Sequence, residues 1–422
     1  MVIRKEVFQI IPVVLLLLTE ELFMPFSFDQ KYEGINATIY ENVVILSKVF
    51  ALLAFSYAAI GFFKLGSIYR ISIFLISVLF VFMIFESQYY YRSLFEFPPV
   101  FIKSLMWAIT LSVFFYYYDK KRISIVSIVL MISFGLIMKI AINPSMLTVY
   151  AFITHDRGIP SESAYLLTIP LLYFFNRYMT ENRNYFLIGF LIFAGFLFFF
   201  QHRTVWVASF FSFIINLILL RNKQNVDFGR LTVNIIPISI VVFIFSLLIL
   251  TYSPDMKDKI SQNVDEILNP NTEETTASWR LEQIYSYIPF VAQKPFFGWR
   301  LKGYELPVQF YNEDIGKALF SKSDEMLTSK KSGHHFHNFY LDQLFYFGIF
   351  GLVFSITMIL YPLVSVLKNK VQIDADRIAV ISFTASGLIY SFGYRLPNYY
   401  WVFLGLSLVF VYQGIRKTSK PI

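Results

Sequence analysis

The sequence predicts an all-α protein, polytopic in a membrane, with about twelve transmembrane helices and one large helical loop outside the cytoplasm. Hydrophobic residues fill 56% of the 422 positions and charged residues only 15%, whereas about a quarter of the residues in a soluble domain are charged. Apolar runs long enough to cross about 30 Å of hydrocarbon recur along almost the whole chain. They lack the alternation of a membrane β-barrel, so each span is predicted to be a helix.

Twelve segments are predicted to span the membrane. They are residues 7–25, 43–63, 71–87, 99–118, 123–142, 164–178, 185–200, 204–220, 232–252, 341–366, 377–393 and 398–415. The first is interrupted by Glu20 and Glu21 and resembles the core of a signal peptide, but no small-residue cleavage site follows it, so it is predicted to be retained. Spans one to nine thus occupy 1–252, spans ten to twelve occupy 341–422, and a polar segment, 253–340, lies between them.

Basic residues in the short loops orient the chain. With the N-terminus inside, the inner segments hold eighteen basic residues and the short outer loops hold five. Cytoplasmic loops carry the excess of Lys and Arg, so both termini are predicted to be cytoplasmic and the 253–340 segment extracytoplasmic. The formal net charge of +8 is therefore mostly a topology signal and does not indicate a nucleic-acid partner.

Helical spacing occurs twice within the polar segment. One apolar stripe consists of Met256, Ile260, Val264 and Leu268, and the other of Leu281, Ile284, Ile288 and Val291. Pro295 and Gly298 then punctuate the chain. The segment is predicted to be a small helical domain lying against the outer membrane surface.

Unusual polar residues gather on the outer side. All five histidines fall there: His155, His202, His334, His335 and His337. Arg203 stands nearly alone between two apolar runs, where an unpaired guanidinium costs several kcal/mol. An anionic partner explains it, because the planar guanidinium suits phosphate oxygens.

Other roles for these residues stay open. Instead of binding an anion, Arg203 could extend into the lipid headgroups. Arg280 could instead form an ion pair with Glu282 or Asp265. The histidines at 334, 335 and 337 have a structural or zinc-binding alternative. The chain has no cysteine, which excludes disulfides and thiolate ligands, and no metal site is predicted.

His337 is expected at the start of span ten. Unsatisfied amides and the positive dipole end of that helix discourage imidazolium, so the side chain is predicted to stay neutral and able to accept a proton. The same dipole end attracts anions. Gly348 and Gly351 are expected to let a neighbouring helix approach closely and fix this terminus. A neutral imidazole beside phosphate-seeking arginines suggests a base next to a phosphorylated leaving group.

Four stretches together resemble a known family. "HFHNFYLDQLFYFGIFGL" (335–352) looks like the histidine hallmark of the bacterial O-antigen polymerase and O-antigen ligase superfamily. "FFQHRTVW" (199–206) resembles its outer-junction arginine motif, and "SWRLEQIYSYIPFVAQKPFFGW" (278–299) its arginine-led helix with a closing Lys-Pro and glycine turn. "RGIPSESAYL" (157–166) is similar to a stretch before a middle span in many polymerases.

The resemblance implies a glycosyltransferase of the bacterial cytoplasmic (inner) membrane with its active site on the periplasmic side, so the outer segment is a periplasmic loop. The donor is a glycan on undecaprenyl pyrophosphate and the acceptor a sugar hydroxyl; transfer is inverting and needs no metal or other cofactor. Carried over by position, Arg203 and Arg280 bind the pyrophosphate and His337 is the catalytic base. Further substrate contacts are implied for Arg157, Glu162, His335, Asn338 and Arg395. Membrane lipid, a chain-length regulator and a flippase are implied partners.

Four functions remain in play, one of which is a non-catalytic sensor or assembly protein that would keep the outer domain but need no convergence of arginines and histidine. A polymerase extends the chain on a lipid-linked repeat unit of O-antigen or capsule, and the Glu162 stretch and Asp342 favour it. A ligase transfers the glycan to lipid A–core. A lipid-linked oligosaccharide flippase should carry charge through its middle spans, whereas here the inner halves of the spans are nearly uncharged, with Lys48, Lys103 and Lys139 as exceptions.

Overall fold

A computed structural model describes residues 66–119, 123–154, 158–224, 278–306, 336–369 and 371–418, with 17–24 and scattered single positions elsewhere. Several predictions fall outside these residues. They are most of the first span, the second and ninth spans, the stripe from Met256 to Leu268, and the side chains of Lys48, Arg157 and His335.

The regular elements among the described residues are all helices, and no strand occurs among these residues, so the all-α prediction is confirmed for this part of the chain. The helices are α1 (Ser67–Tyr91), α2 (Pro98–Tyr117), α3 (Ile125–Ile142), α4 (Val149–Thr154), α5 (Ser161–Leu166), α6 (Thr168–Glu181), α7 (Asn184–Phe199), α8 (Arg203–Gln224), α9 (Ser278–Gln293), α10 (Phe339–Lys368), α11 (Ala375–Tyr390) and α12 (Asn398–Thr418).

Five of these helices are long and apolar enough to cross a membrane: α1, α2, α3, α8 and α10. The shorter α7 is also apolar. Predicted span 164–178 differs, because it comprises two helices that meet at Leu167. Pro170 has no amide to donate to the carbonyl of Leu166, and the turn tightens so that the Leu167 amide bonds Ala164 O at 3.1 Å. The total of twelve spans stays a prediction.

Helix α10 is broken at Gly348, whose φ of 65° and ψ of −165° are not helical. The break divides it into a first arm, 339–347, and a second arm, 349–368. Twelve residues separate Gln343 from Ser355, about 18 Å in a straight helix, yet Ser355 Oγ donates to Gln343 Oε1 at 3.3 Å. The two arms therefore fold against each other, and the predicted continuous span 341–366 is corrected to two arms.

A turn from a distant part of the chain closes this break. The Trp299 amide donates to Phe345 O at 2.8 Å, and the Ile349 amide donates to Pro295 O at 2.8 Å. One carbonyl near the end of the first arm and one amide at the start of the second thus gain partners. The broken backbone is thereby satisfied within the protein, as membrane-buried backbone must be.

Two glycines allow the turn and the helix to touch. A Cβ at Gly348 would lie 2.6 Å from the backbone nitrogen of Phe297, and one at Gly298 would lie 2.6 Å from that of Phe347. Both glycines have positive φ, 65° and 63°. Gly348 does permit close approach as predicted, but the neighbour is a turn and not a helix.

Helix α9 confirms the second predicted helix of the polar segment. Two residues of its apolar stripe, Ile284 and Val291, are half-buried against the hydrophobic core, whereas Ile288 is 49% exposed. The helix also packs on the first arm of α10 through the buried Tyr287 ring, whose centroid lies 5.5 Å from that of Phe345.

Residues predicted to be cytoplasmic gather at one end of the helices, here called the basic pole. Arg177 Nη2 on α6 pairs with Asp376 Oδ2 on α11 at 2.6 Å. Lys223 Nζ on α8 donates to the carbonyl of Asn369, at the end of α10, at 2.9 Å. Four helices therefore meet at this pole.

Charged partners also lie deep between helices. The ammonium of Lys103 on α2 is paired with the Asp342 carboxylate in the first arm of α10, and both side chains are largely buried. Lys103 Nζ lies 4.7 Å from the centroid of the Tyr346 ring. This pair accounts for a lysine that the sequence left unexplained.

Breaking this pair on one side should destabilise the protein. Lys103→Met leaves a buried carboxylate without its cation, at a cost of about 3–5 kcal/mol. The double variant Lys103→Met/Asp342→Leu should regain most of that stability, and Lys368→Met, at an exposed position, should match the parent. Thermal unfolding in detergent measures all three; a double variant no better than the single one contradicts the pairing.

Candidate anion-binding site

The candidate site lies at the end of the helices opposite the basic pole, here called the site pole. Gly393, in the segment between α11 and α12, lies between the first turn of α8 and Arg280 on α9. A Cβ at this position would lie 2.7 Å from Thr204 Oγ1 and 3.2 Å from Arg280 Nη1. The bare glycine thus lets the Arg280 guanidinium approach the first turn of α8, which begins at Arg203.

Arg203 follows a tight turn between α7 and α8. Gln201 has a positive φ of 52°, an uncommon value outside glycine, and its Nε2 donates to Phe152 O at 2.5 Å. The ring of His202 is buried, with Nε2 2.8 Å from Ile159 O. These anchors fix the backbone from which the half-buried Arg203 side chain projects.

His337 lies next to the helix that carries Arg280. Its backbone amide donates to Gln283 Oε1 at 3.3 Å. Gln283 is buried and stands three residues after Arg280 on α9. The contact of Gln283 with His337 and the contact of Arg280 with Gly393 are therefore about one helical turn apart. The sequence motifs predict that His337 and Arg280 lie near each other, and the hydrogen bond to Gln283 connects His337 to the helix that carries Arg280.

Asn338 fixes the start of the first arm. As its N-cap, its side chain accepts from the Leu341 amide at 3.0 Å, and Nδ2 donates to Phe392 O at 3.1 Å. The Phe339 amide bonds Ser391 O at 3.1 Å. The predicted helix start near residues 335–338 is confirmed. The side-chain amide of Asn338 both caps this helix and bonds it to the segment after α11.

Of the remaining predicted contacts, Glu162 and Arg395 lie on neighbouring parts of this pole. Glu162, in the first turn of α5, is half-buried, and its carbonyl accepts from Tyr399 Oη at 2.6 Å. Arg395 is exposed and follows Tyr394. The Arg280 guanidinium carbon lies 4.7 Å from the centroid of the Tyr394 ring. The structure thus brings together Arg280, the first turn of α8 and the backbone of His337.

This arrangement favours an anion. Helices α5, α8, α9, α10 and α12 all begin at the site pole, and each brings a positive dipole end and amides without helical partners. Two guanidiniums stand at two of these helix starts. Helix N-termini and arginine are the usual means by which proteins bind phosphate. Among the described residues there is no group of three His, Cys, Asp or Glu arranged to hold a metal.

Fold and site together define a helical membrane protein with a cationic site at one pole. Residues 188–356 match the family model described as O-Antigen ligase. Over that segment the chain is similar to the O-antigen polymerase and ligase superfamily, whose members are glycosyl-transfer enzymes in O-antigen pathways. No curated protein matches the sequence significantly.

The matched segment runs from α7 into the second arm of α10, so the resemblance drawn from three motifs is confirmed. It contains Arg203, Arg280 and His337. The "RGIPSESAYL" stretch with Glu162 lies before it, and Arg395 lies after it.

Proposed function

We propose that this protein is a glycosyltransferase that polymerises undecaprenyl-pyrophosphate-linked repeat units of O-antigen or capsule on the outer face of the bacterial cytoplasmic membrane. The observation that supports it most is the placement of Arg280, which touches Gly393 beside the start of α8 and stands one turn from the residue that bonds His337. Both termini are then cytoplasmic, and the site pole faces the periplasm.

Each of the three central residues has a role in this reaction. Arg203 and Arg280 hold the donor's pyrophosphate. The acceptor hydroxyl oxygen attacks the anomeric carbon, the bond from that carbon to the bridging phosphate oxygen breaks, and undecaprenyl pyrophosphate leaves. Negative charge grows on that oxygen, and preorganised guanidiniums stabilise it. His337 accepts the hydroxyl proton.

The direction of attack sets the stereochemistry. Attack opposite to the leaving group inverts the anomeric carbon. No metal is required, because the guanidiniums and helix N-termini stabilise the leaving group's charge. Arg157, Glu162, His335 and Arg395 then contact sugar or lipid phosphate around this centre, and a chain-length regulator and a flippase act beside it.

A polymerase is favoured by the stretch that contains Glu162, whereas the description of the matching family model favours a ligase. The two differ only in the acceptor. One experiment separates them: purified protein in lipid nanodiscs receives lipid-linked repeat units, with or without lipid A–core. A ladder of longer lipid-linked glycans without lipid A–core supports the polymerase; product only on lipid A–core supports the ligase.

The same assay tests the chemistry. The ladder should persist in excess EDTA, and the new linkage should have the anomeric configuration opposite to that of the donor. Failure to form any product with either acceptor, from folded protein, would contradict glycan transfer.

A further inference from the structure

Three aromatic rings form a column that ends on Arg280. The rings of Tyr165 and Tyr390 are stacked at 4.2 Å and 9°, and those of Tyr390 and Tyr394 at 5.3 Å and 23°. The Arg280 guanidinium carbon lies 4.7 Å from the Tyr394 centroid. The column thus joins α5, α11 and the segment after α11 to the start of α9.

The base of the column is fixed in the core. Tyr165 and Tyr390 are fully buried. The Tyr165 hydroxyl donates to Phe383 O at 3.0 Å and lies 2.8 Å from Ser386 Oγ. The Tyr390 hydroxyl donates to Ser161 Oγ at 3.4 Å. Because each ring stacks on the next, the half-buried Tyr394 has a rigid support.

Stacking suits a guanidinium that must also bind phosphate. The ring face attracts the guanidinium carbon above it, and a guanidinium that stacks on a ring keeps its in-plane N–H groups available as a fork for phosphate oxygens. Gly393 adds a second constraint, because a Cβ there would lie 3.2 Å from Arg280 Nη1. Two adjacent residues therefore define where the Arg280 guanidinium sits.

We propose that Tyr394 is a positioning residue for Arg280, with the column Tyr165–Tyr390–Tyr394 holding the guanidinium in place for a lipid diphosphate. The inference rests on the proposed function, in which Arg280 binds the donor's pyrophosphate. Fixing the guanidinium before binding lowers the entropy lost on binding. Tyr394 acts through Arg280 and needs no contact with the glycan.

The test compares two substitutions at one position. Tyr394→Phe keeps the ring, and Tyr394→Leu removes it while keeping an apolar side chain. Affinity for undecaprenyl diphosphate in nanodiscs should stay within about twofold for the phenylalanine variant and fall about 5- to 20-fold for the leucine variant, the range of a partly buried cation–ring contact. Tyr185→Leu is the control, because Tyr185 accepts from Arg183 through its hydroxyl at an exposed site.

A double variant identifies the residue through which Tyr394 acts. In an Arg280→Ala background, Tyr394→Leu should cause no further loss of affinity. Losses that multiply, or a leucine variant that binds like the parent, would overturn the inference. If Arg280→Ala itself binds and transfers like the parent, the proposed function fails instead, so the two failures are distinguishable.

A graded series covers the case in which the leucine variant does not fold. Phenylalanines with increasing fluorination at position 394 keep the shape of the ring while weakening its negative face. Affinity for undecaprenyl diphosphate should fall stepwise with each added fluorine. A flat series would show that packing alone matters and would contradict the positioning role.

Discussion

The His337→Ala protein is expected to lose glycan transfer while still binding the lipid diphosphate. Removal of a general base lowers the rate by about 10²–10⁴-fold. The guanidiniums of Arg203 and Arg280 remain, so binding of undecaprenyl diphosphate should change by less than about threefold. Transfer is measured as chain elongation by purified protein in nanodiscs, and binding by titration with undecaprenyl diphosphate.

A second histidine of the same pole provides the control. The ring of His202 is already engaged with Ile159 O, and glutamine also carries a polar hydrogen-bonding end. His202→Gln is therefore expected to retain elongation within a few-fold. Elongation at the parent rate by His337→Ala, or equal losses in the two variants, would remove His337 from the role of base.

The Gly348→Ala and Gly298→Ala proteins are expected to be severely destabilised. Each new Cβ would lie 2.6 Å from a backbone nitrogen across the junction, and each residue has positive φ. Backbone cannot move aside as a flexible side chain does, so each substitution should cost about 4 kcal/mol or more. Yield of monodisperse protein and thermal unfolding in detergent measure the effect.

Gly195 on α7 is the matched control, because within the described part of the chain no atom of another element lies within 4 Å of a Cβ placed there. Gly195→Ala should leave stability unchanged or raise it by about 0.5–1 kcal/mol, as alanine favours a helix. If Gly348→Ala melts like this control, the break in α10 and its closing turn are not present as described.

Local patterns predicted most helices well. Length and hydrophobicity gave α1, α2, α3 and α8 to within a few residues, because a membrane helix needs a long apolar run and little else. The break in α10 was not predictable in this way. A single glycine in an apolar run is compatible with a straight helix, and the partner turn lies about fifty residues away in the sequence.

Buried lysines show the same limit. Lys103 pairs with Asp342, which lies 239 residues away in the sequence, and Lys139 Nζ donates to the carbonyl of Glu21 at 3.1 Å. Neither partner is signalled by local sequence, since charge pairing between spans depends on which helices become neighbours. The sequence therefore identified these lysines as exceptions without explaining them.

The candidate site was likewise predictable from the sequence only in part. Arg203 stood out because a charged residue between two apolar runs is rare and costly, whereas the roles of Arg280 and His337 were implied by the family resemblance. Gly393 and Tyr394 were not identifiable, since a glycine and a tyrosine between two spans are unremarkable as residue types. Their importance comes only from the contacts they make with Arg280.

The orientation of the site pole is tested most directly by labelling single cysteines, because the chain contains none of its own. Asn398 is exposed at the start of α12 on the site pole, and Asn369 is exposed at the end of α10 on the basic pole. With a membrane-impermeant maleimide on spheroplasts, Asn398→Cys should react at once and Asn369→Cys only after permeabilisation. The opposite pattern would place the arginines and His337 in the cytoplasm, out of reach of an exported glycolipid.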